Sequence, residues 1–485
     1  MGPVDVLQRG LDALQLVEHE LLLFAAFWFV VGAADEFAVD LVWLWLKLTG
    51  RIETEPPVAD RNTEPLSGRA AAFVPAWQEA DVIGPMIRHT LSAWRQDAFT
   101  LYVGLYVNDW ATLEAAVAAA GDDPRVRLVI NDRAGPTTKA DCLNRIYAAL
   151  CDDEARSGER FASIVLHDSE DMVHPAALAL IDEMLGPIDF VQLPVRPEPQ
   201  AASPMVAGHY SDEFAESHAK GMVVRDAIGA AIPAAGVGCG FAREAIADLA
   251  RRRFQQGRDG PFEDDCLTED YELGLTVSRG RRARFVRRHD VYGELIATRA
   301  YFPPSLEASV RQKTRWIHGI SLQGWDRLGW SLNPIDIWMT LRDRNGPLTA
   351  LVLAVAYVLL AIEAVLGVAR LAGWQDAVAL PPLLRAMIAI SFASLAWRAL
   401  WRFFFTAREY GIGEGLRAIV RIPVSNVITI IAARRALFAY VGTLFGRRLH
   451  WDKTLHAAHP ANATPRSADI TPATATATAT ARALP

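Results

Sequence analysis

The stretch "FASIVLHDSEDMVHP" (161–175) ends an apolar run abruptly, with Asp168, Glu170 and Asp171 following Leu166 within five residues. Carboxylates that close raise one another's pKa and destabilise a fold unless something compensates. One reading is a solvated turn ahead of a helix. The other is a site for a hard divalent cation, because Mg²⁺ and Mn²⁺ take oxygen ligands and neutralise such a cluster. Two later stretches also carry chemistry. In "CLTEDYELG" (266–274), Thr268 reads as a helix N-cap with Glu269, Asp270 and Glu272 in the opening turns, where carboxylates favour the helix dipole. Adjacent side chains on a helix point about 100° apart, so at most one of Glu269 and Asp270 is expected to face any one attacking hydroxyl. In "RQKTRWIHGI" (311–320), Gln312, Arg315 and Trp316 stand at i, i+3 and i+4 and share one helix face. A half-buried interface helix would account for that face equally well.

The elements that must hold these residues read as alternating strands and helices over 69–340. Strands are expected at 70–76, 99–107, 126–130, 161–167 and 189–195, with helices at 81–96, 138–151 and 175–185. Apolar strands alternating with helices predict a mainly parallel sheet covered on both faces. Ligands bind such sheets at the carboxyl ends of the strands, which puts Gln78, Glu79, Asp109 and Asp168 along one rim. No GxGxxG follows the first strand and no Walker A sequence occurs. "GVGCGF" (236–241) has the wrong spacing and predicts a tight turn.

Of the 485 residues, 51% are hydrophobic and mean hydropathy is +0.13, which points to membrane segments. A net charge of −7 gives no support to nucleic-acid binding. The four cysteines show no paired spacing, so free thiols in a reduced compartment are expected. Residues 21–48 are apolar enough for lipid but carry Asp35 and Glu36 midway, which leaves one long crossing or a tight pair open. The segment is too long for a cleavable signal peptide. Residues 348–371 and 383–405 predict a hairpin, and Arg398, Arg402 and Arg408 after it predict a cytoplasmic end. Residues 415–446, interrupted by Pro423, read as interfacial amphipathic helices, and 471–485 as a disordered low-complexity tail. The expected organisation is a membrane segment at 1–55, a cytoplasmic domain at 56–340, a hairpin with interfacial helices at 341–456 and a tail at 457–485.

An acidic D-x-(D/E) after a strand, then TED, then Q-x-x-R-W, all between membrane helices, resembles the processive family 2 glycosyltransferases, the group of cellulose, chitin and hyaluronan synthases. "HDSEDMVHP", "TEDYELG", "RQKTRWIHGISLQGW" and "WDKTLH" (451–456) resemble more closely the bacteriophage adsorption protein B group of inner-membrane glycosyltransferase-like proteins. The resemblance spans roughly residues 15–456. It implies an α/β fold of GT-A type with a mainly parallel sheet, flanked by transmembrane helices. It puts Glu79 near the nucleotide base, Asp109 at a second nucleotide-contacting acid and Lys139 near the diphosphate. Asp168 and Glu170 take the D-x-D positions beside the nucleotide sugar and a Mg²⁺ or Mn²⁺ ion. Glu269 and Asp270 form the catalytic pair, with Asp270 as general base. Gln312, Arg315 and Trp316 hold the diphosphate and the acceptor sugar.

The implied function is metal-dependent, inverting transfer of a sugar from a nucleotide sugar, UDP-linked, to a growing glycan at the bacterial inner membrane. The implied partners are the nucleotide sugar, a glycan or lipid-linked acceptor, membrane lipids and an export partner in the periplasm or outer membrane. Two alternatives stand beside it: a catalytically silent scaffold for an envelope or phage-receptor complex, and single transfer to a lipid carrier. Relatives often continue into a domain associated with cyclic di-GMP, and the resemblance leaves control by that nucleotide open here.

Overall fold

The first helix, α1 (Pro3–Leu48), is unbroken through Asp35 and Glu36, so the N-terminal region is not a tight pair of membrane segments. The computed structural model describes residues 3–52, 57–59, 62–376, 378–446 and 458–462; "WDKTLH" and the tail 471–485 lie outside the described residues. After α1 come β1 (Arg69–Pro75), α2 (Ala80–Ala93), β2 (Phe99–Tyr106), α3 (Trp110–Ala120), β3 (Val126–Asn131), α4 (Lys139–Ser157), β4 (Phe161–Leu166) and α5 (Ala177–Leu185). Next are β5 (Phe190–Gln192), β6 (Val195–Pro197), α6 (Gly208–Glu216), α7 (Met222–Ala227), β7 (Cys239–Ala242), α8 (Arg243–Gln255) and α9 (Glu269–Gly280). The domain closes with β8 (Ala283–Phe285), β9 (Thr298–Ala300), α10 (Leu306–Trp316), α11 (Gly324–Leu328) and α12 (Pro334–Arg344). Three long helices follow: α13 (Gly346–Leu371), α14 (Pro382–Tyr410) and α15 (Ile412–Leu444).

A seven-stranded sheet runs β3-β2-β1-β4-β7-β5-β8, and β6 pairs with β9 in a second, two-stranded sheet. All pairs are parallel except β4–β7 and β7–β5. The side-chain period of two explains the layers. Ala70, Ala72 and Val74 of β1 point to the side covered by Ile83 and Met86 of α2 and by Leu178 and Ile181 of α5. Ala71 and Phe73 point to the other side, against Leu143, Ile146 and Leu150 of α4 and Ile246 of α8.

Where the sequence predicted one strand over 189–195, the chain makes two, β5 and β6, in different sheets. The glycines of "GVGCGF" do make the turn, with Gly236 and Gly238 at positive φ of 77° and 59°, and the same stretch then enters β7, which periodicity over so few residues could not reveal. The four cysteines are free.

Among the described residues, four helices (α1, α13, α14 and α15) are long and apolar enough to cross a membrane. The acids in α1 have a docking role: Arg342 of α12 pairs with Asp35 and Glu36, Lys220 donates to Asp40 at 2.6 Å, and Trp338 Nε1 donates to Asp35 at 2.7 Å. The opposite half of α1 packs Leu11, Leu14 and Leu21 against Ile362, Leu366 and Ala369 of α13. Gln375 Nε2 donates to Gln15 Oε1 at 2.8 Å, so the turn after α13 lies at the far end of α1 from the sheet. Residues 412–444 form one helix through Pro423 rather than several, and one face of it, including Ala418, Arg421, Ser425, Ile428, Ala432 and Ala436, is buried. That face meets α6 and α10: Arg421 reaches Asp212 at 2.7 Å, and Ile428 and Ala432 cluster with Val310.

Candidate active site

The parallel register brings β1, β2 and β4 to a common edge. Phe73 stands opposite Leu166 and Pro75 opposite Gly104, so the residues just after each strand share one rim. A cavity of about 190 Å³ opens there, and its walls include Glu79, Lys139, Asp168, Glu170, Glu269, Asp270, Gln312, Arg315 and Trp316. Nine of the ten residues to which the resemblance gives a role thus line one space.

The tenth, Asp109, is set back from the walls. It caps α3, accepting the Thr112 N–H at 3.4 Å, and it also accepts the N–H of Gln78. Gln78 has a positive φ of 54°, uncommon for a residue with a Cβ, and the Asp109 bond holds that turn. The N–H of the neighbouring Glu79 donates to Thr112 Oγ1 at 2.9 Å. Asp109 therefore orients the loop that presents Glu79.

Lys139 is the first residue of α4, with Thr138 as its N-cap. Its ammonium meets Asp168 Oδ1 at 2.6 Å and lies 4.0 Å from Glu269 Oε1. Burial opposes the lysine charge, but Asp168, Glu269 and Asp270 together outweigh it and raise the pKa. Within the acid loop, Asp171 is the internal brace: Oδ2 accepts the Asp168 N–H at 2.9 Å and lies 2.9 Å from His167 Nδ1. Asp168 and Glu170 are left facing the cavity. Those two carboxylates suit a hard cation, and they are few. Among the described residues, the clusters of three potential metal ligands (His174, Asp290 and Glu294; Glu263, Asp264 and Asp265) involve none of the cavity's wall residues. A cation held by Asp168 and Glu170 would need further oxygens from its ligand.

Thr268 occupies the N-cap position of α9 but makes no capping bond through its side chain. Glu269 and Asp270, the first two residues of α9, both line the cavity. Burial raises both pKa values. Glu269, further opposed by the Asp270 charge, is pushed up to about 7. Two close approaches fix α9. A Cβ on Gly274 would lie 2.0 Å from the backbone nitrogen of Ala234, and one on Gly236 would lie 2.2 Å from Asp270 Oδ2. The glycine turn that looked merely structural is the wall against which Asp270 rests.

Gln312 and Arg315 reach the cavity from α10, and Gln312 Oε1 is buried without a hydrogen-bond partner. Tyr210, Phe214 and Phe302 meet Trp316 edge-on at 6.0, 6.3 and 6.5 Å. Phe214, Tyr301, Phe302 and Trp77 also line the cavity. The sequence reading missed them because isolated aromatic residues outside a motif look the same as core.

Residues 68–319 match a family model described as glycosyltransferase-like family 2. The chain is 31% identical over 481 residues to bacteriophage adsorption protein B of Escherichia coli K12 and, equally, to bacteriophage N4 adsorption protein B of Escherichia coli O157:H7. Each alignment covers 93% of this chain and 63% of the relative, so the chain spans less than two thirds of the length of these proteins. A solved mannosyltransferase from Pyrobaculum calidifontis, in complex with GDP-Man and Mn²⁺, shares the fold with a TM-score of 0.53 at 18% identity, covering 86% of this chain and 99% of that one.

Proposed function

Because the chain belongs to glycosyltransferase-like family 2, we propose that it is an inner-membrane inverting transferase that moves a sugar from a UDP-linked donor onto a hydroxyl of a growing glycan. One observation carries the reading: the acid loop, the TED helix end and the Gln-Arg-Trp helix face converge on a single cavity. A silent scaffold has no need to bury two carboxylates beside one lysine.

In this reading Glu79 and the loop braced by Asp109 receive the base, and Lys139 and Arg315 balance the diphosphate. Asp168 and Glu170 would hold Mg²⁺ or Mn²⁺, which when bound neutralises charge on the leaving phosphate. Asp270 takes the proton of the attacking hydroxyl, and one displacement inverts the anomeric carbon, by the geometry that separates inverting from retaining hydrolases. Trp316 offers a flat face to the acceptor ring. The fold-sharing mannosyltransferase, solved with GDP-Man and Mn²⁺, supports a nucleotide-sugar donor with a divalent ion. The test is to incubate membranes containing the protein with a panel of radiolabelled nucleotide sugars and to size the product. Incorporation from a UDP-sugar into a lengthening product is expected, and no incorporation from any donor would remove the reading.

With two protein carboxylates available, Mn²⁺ is expected to bind weakly alone and at least about tenfold more tightly with UDP present, since such ions complete their shell with phosphate oxygens and water. Calorimetry with and without UDP measures this. Equal affinities, or an unchanged affinity in Glu170→Ala, would count against the assignment.

The proposed topology sets residues 56–340 in the cytoplasm and the loop 373–382 in the periplasm. It draws on Arg398, Arg402 and Arg408 at the far end of α14 and on the turn after α13 lying at the far end of α1. The burial of α15 against α6 and α10 supports an interfacial rather than a crossing helix. A reporter fused at Gln375 should be active only in its periplasmic form; cytoplasmic activity there would reverse the assignment.

A further inference from the structure

Four consecutive carbonyls of the acid loop, those of residues 171–174, each accept a hydrogen bond from a residue distant in the sequence. Trp94 Nε1 donates to His174 O at 3.0 Å, His89 Nε2 to Val173 O at 2.9 Å, and the Arg299 N–H to Met172 O at 3.0 Å. All three donors belong to the transferase domain. The fourth carbonyl, that of Asp171, is taken by His459 Nε2 at 3.1 Å, from a short segment beyond α15.

The seat is well made. His459 is 1% exposed and Pro460 is buried beside it. The Ala461 N–H donates to His459 Nδ1 at 3.1 Å. Nδ1 is therefore the acceptor, and Nε2 carries the hydrogen that Asp171 O receives. The His89 ring lies 6.5 Å away, centroid to centroid. On the inner side of the same residue, the Asp171 carboxylate accepts the Asp168 N–H. His459 is thus two hydrogen bonds from Asp168.

We propose that residues 458–462 are a clasp on the acid loop, and that His459 is a positioning residue that keeps Asp168 and Glu170 at the spacing in which donor diphosphate binds. Without it, the Asp171 carbonyl would lose its donor at a buried place, and the loop would open towards water to recover one. The acid loop is completed only when the chain returns from α15. The part that concerns donor binding rests on the function proposed above; the clasp itself does not.

The experiment uses the full-length protein with His459→Ala and His459→Gln, whose amide can donate to the same carbonyl. Hydrogen exchange is read at residues 167–172 without metal or nucleotide, alongside melting temperature, donor KM and kcat. In His459→Ala, exchange at the Asp168 amide should quicken roughly tenfold or more while other sheet amides keep their protection. Donor KM should rise roughly tenfold with kcat within about threefold. His459→Gln should restore both. Unchanged exchange in His459→Ala would overturn the clasp, as would a uniform loss of protection that His459→Gln does not repair. If His459→Ala does not accumulate, His459→Asn, whose shorter amide stops short of the carbonyl, takes its place with the same two readouts. A protein that binds no nucleotide sugar in any form would end the transferase reading, and the exchange data would still decide the clasp.

Discussion

In Asp270→Asn, sugar transfer is expected to fall by roughly 10²–10⁴-fold, the usual contribution of a positioned general base, while nucleotide-sugar affinity stays close to that of the unaltered protein. The substitution keeps shape. Asp270 Oδ1 accepts the Tyr271 N–H at 2.7 Å, and an asparagine oxygen can accept the same bond, so what disappears is the proton acceptor. Glu269 is the rival. Burial and the Asp270 charge push its pKa up to about 7, and burial raises that of Asp270 as well; with Asp270 as the base, Glu269→Gln should cost less turnover. If the pair served only as helix-end charges, Asp270→Asn would cost about 1 kcal/mol of stability and no turnover. Turnover, UDP affinity and melting temperature measured on one preparation separate these outcomes. A fully active Asp270→Asn protein would remove the assignment.

The second large effect is expected at Arg315. It lines the cavity from α10, and in the proposed reaction it meets the charge that develops on the leaving diphosphate. Removing one preorganised group that stabilises such charge typically costs about 10²–10³ in kcat, and that loss is expected in Arg315→Ala. Arg315→Lys should recover only part of it, because an ammonium cannot reproduce the planar fork of a guanidinium. Steady-state kinetics with saturating donor test this. A kcat within about threefold of the parent in Arg315→Ala would assign the residue to structure alone.

Most of this site was legible because its residues sit where sequence patterns are local. Asp168 and Glu170 end a strand, Glu269 and Asp270 open a helix, and Gln312, Arg315 and Trp316 repeat at helical spacing. Each signal lives within ten residues. What escaped depends on contacts between distant segments. Asp109 reads as a rim acid and turns out to brace Gln78, because a strand-end position does not say which way the side chain turns. Phe214 and Phe302 meet Trp316 from two other elements, and no spacing announces that. β7 is four residues long and antiparallel to its neighbours, too short for periodicity to register. The acids of α1, which looked like an interruption in a membrane segment, find their partners some 300 residues later, at Trp338 and Arg342.

That same helix has a mechanical consequence. At 46 residues and 1.5 Å per residue, α1 is about 69 Å long, more than twice a hydrocarbon layer of about 30 Å. Tilt alone would have to reach about 64° to hide it, beyond the roughly 0–40° seen for spanning helices. In the proposed topology about half of α1 stands clear of the lipid as a stiff mast, with α12 and the stretch between α6 and α7 bolted to its side through Asp35, Glu36 and Asp40. In that arrangement the height of the cavity's rim above the lipid is set by that rod and by the angle at which it leaves the bilayer. A thinner membrane, which changes the angle, would lower or raise the whole domain as one piece.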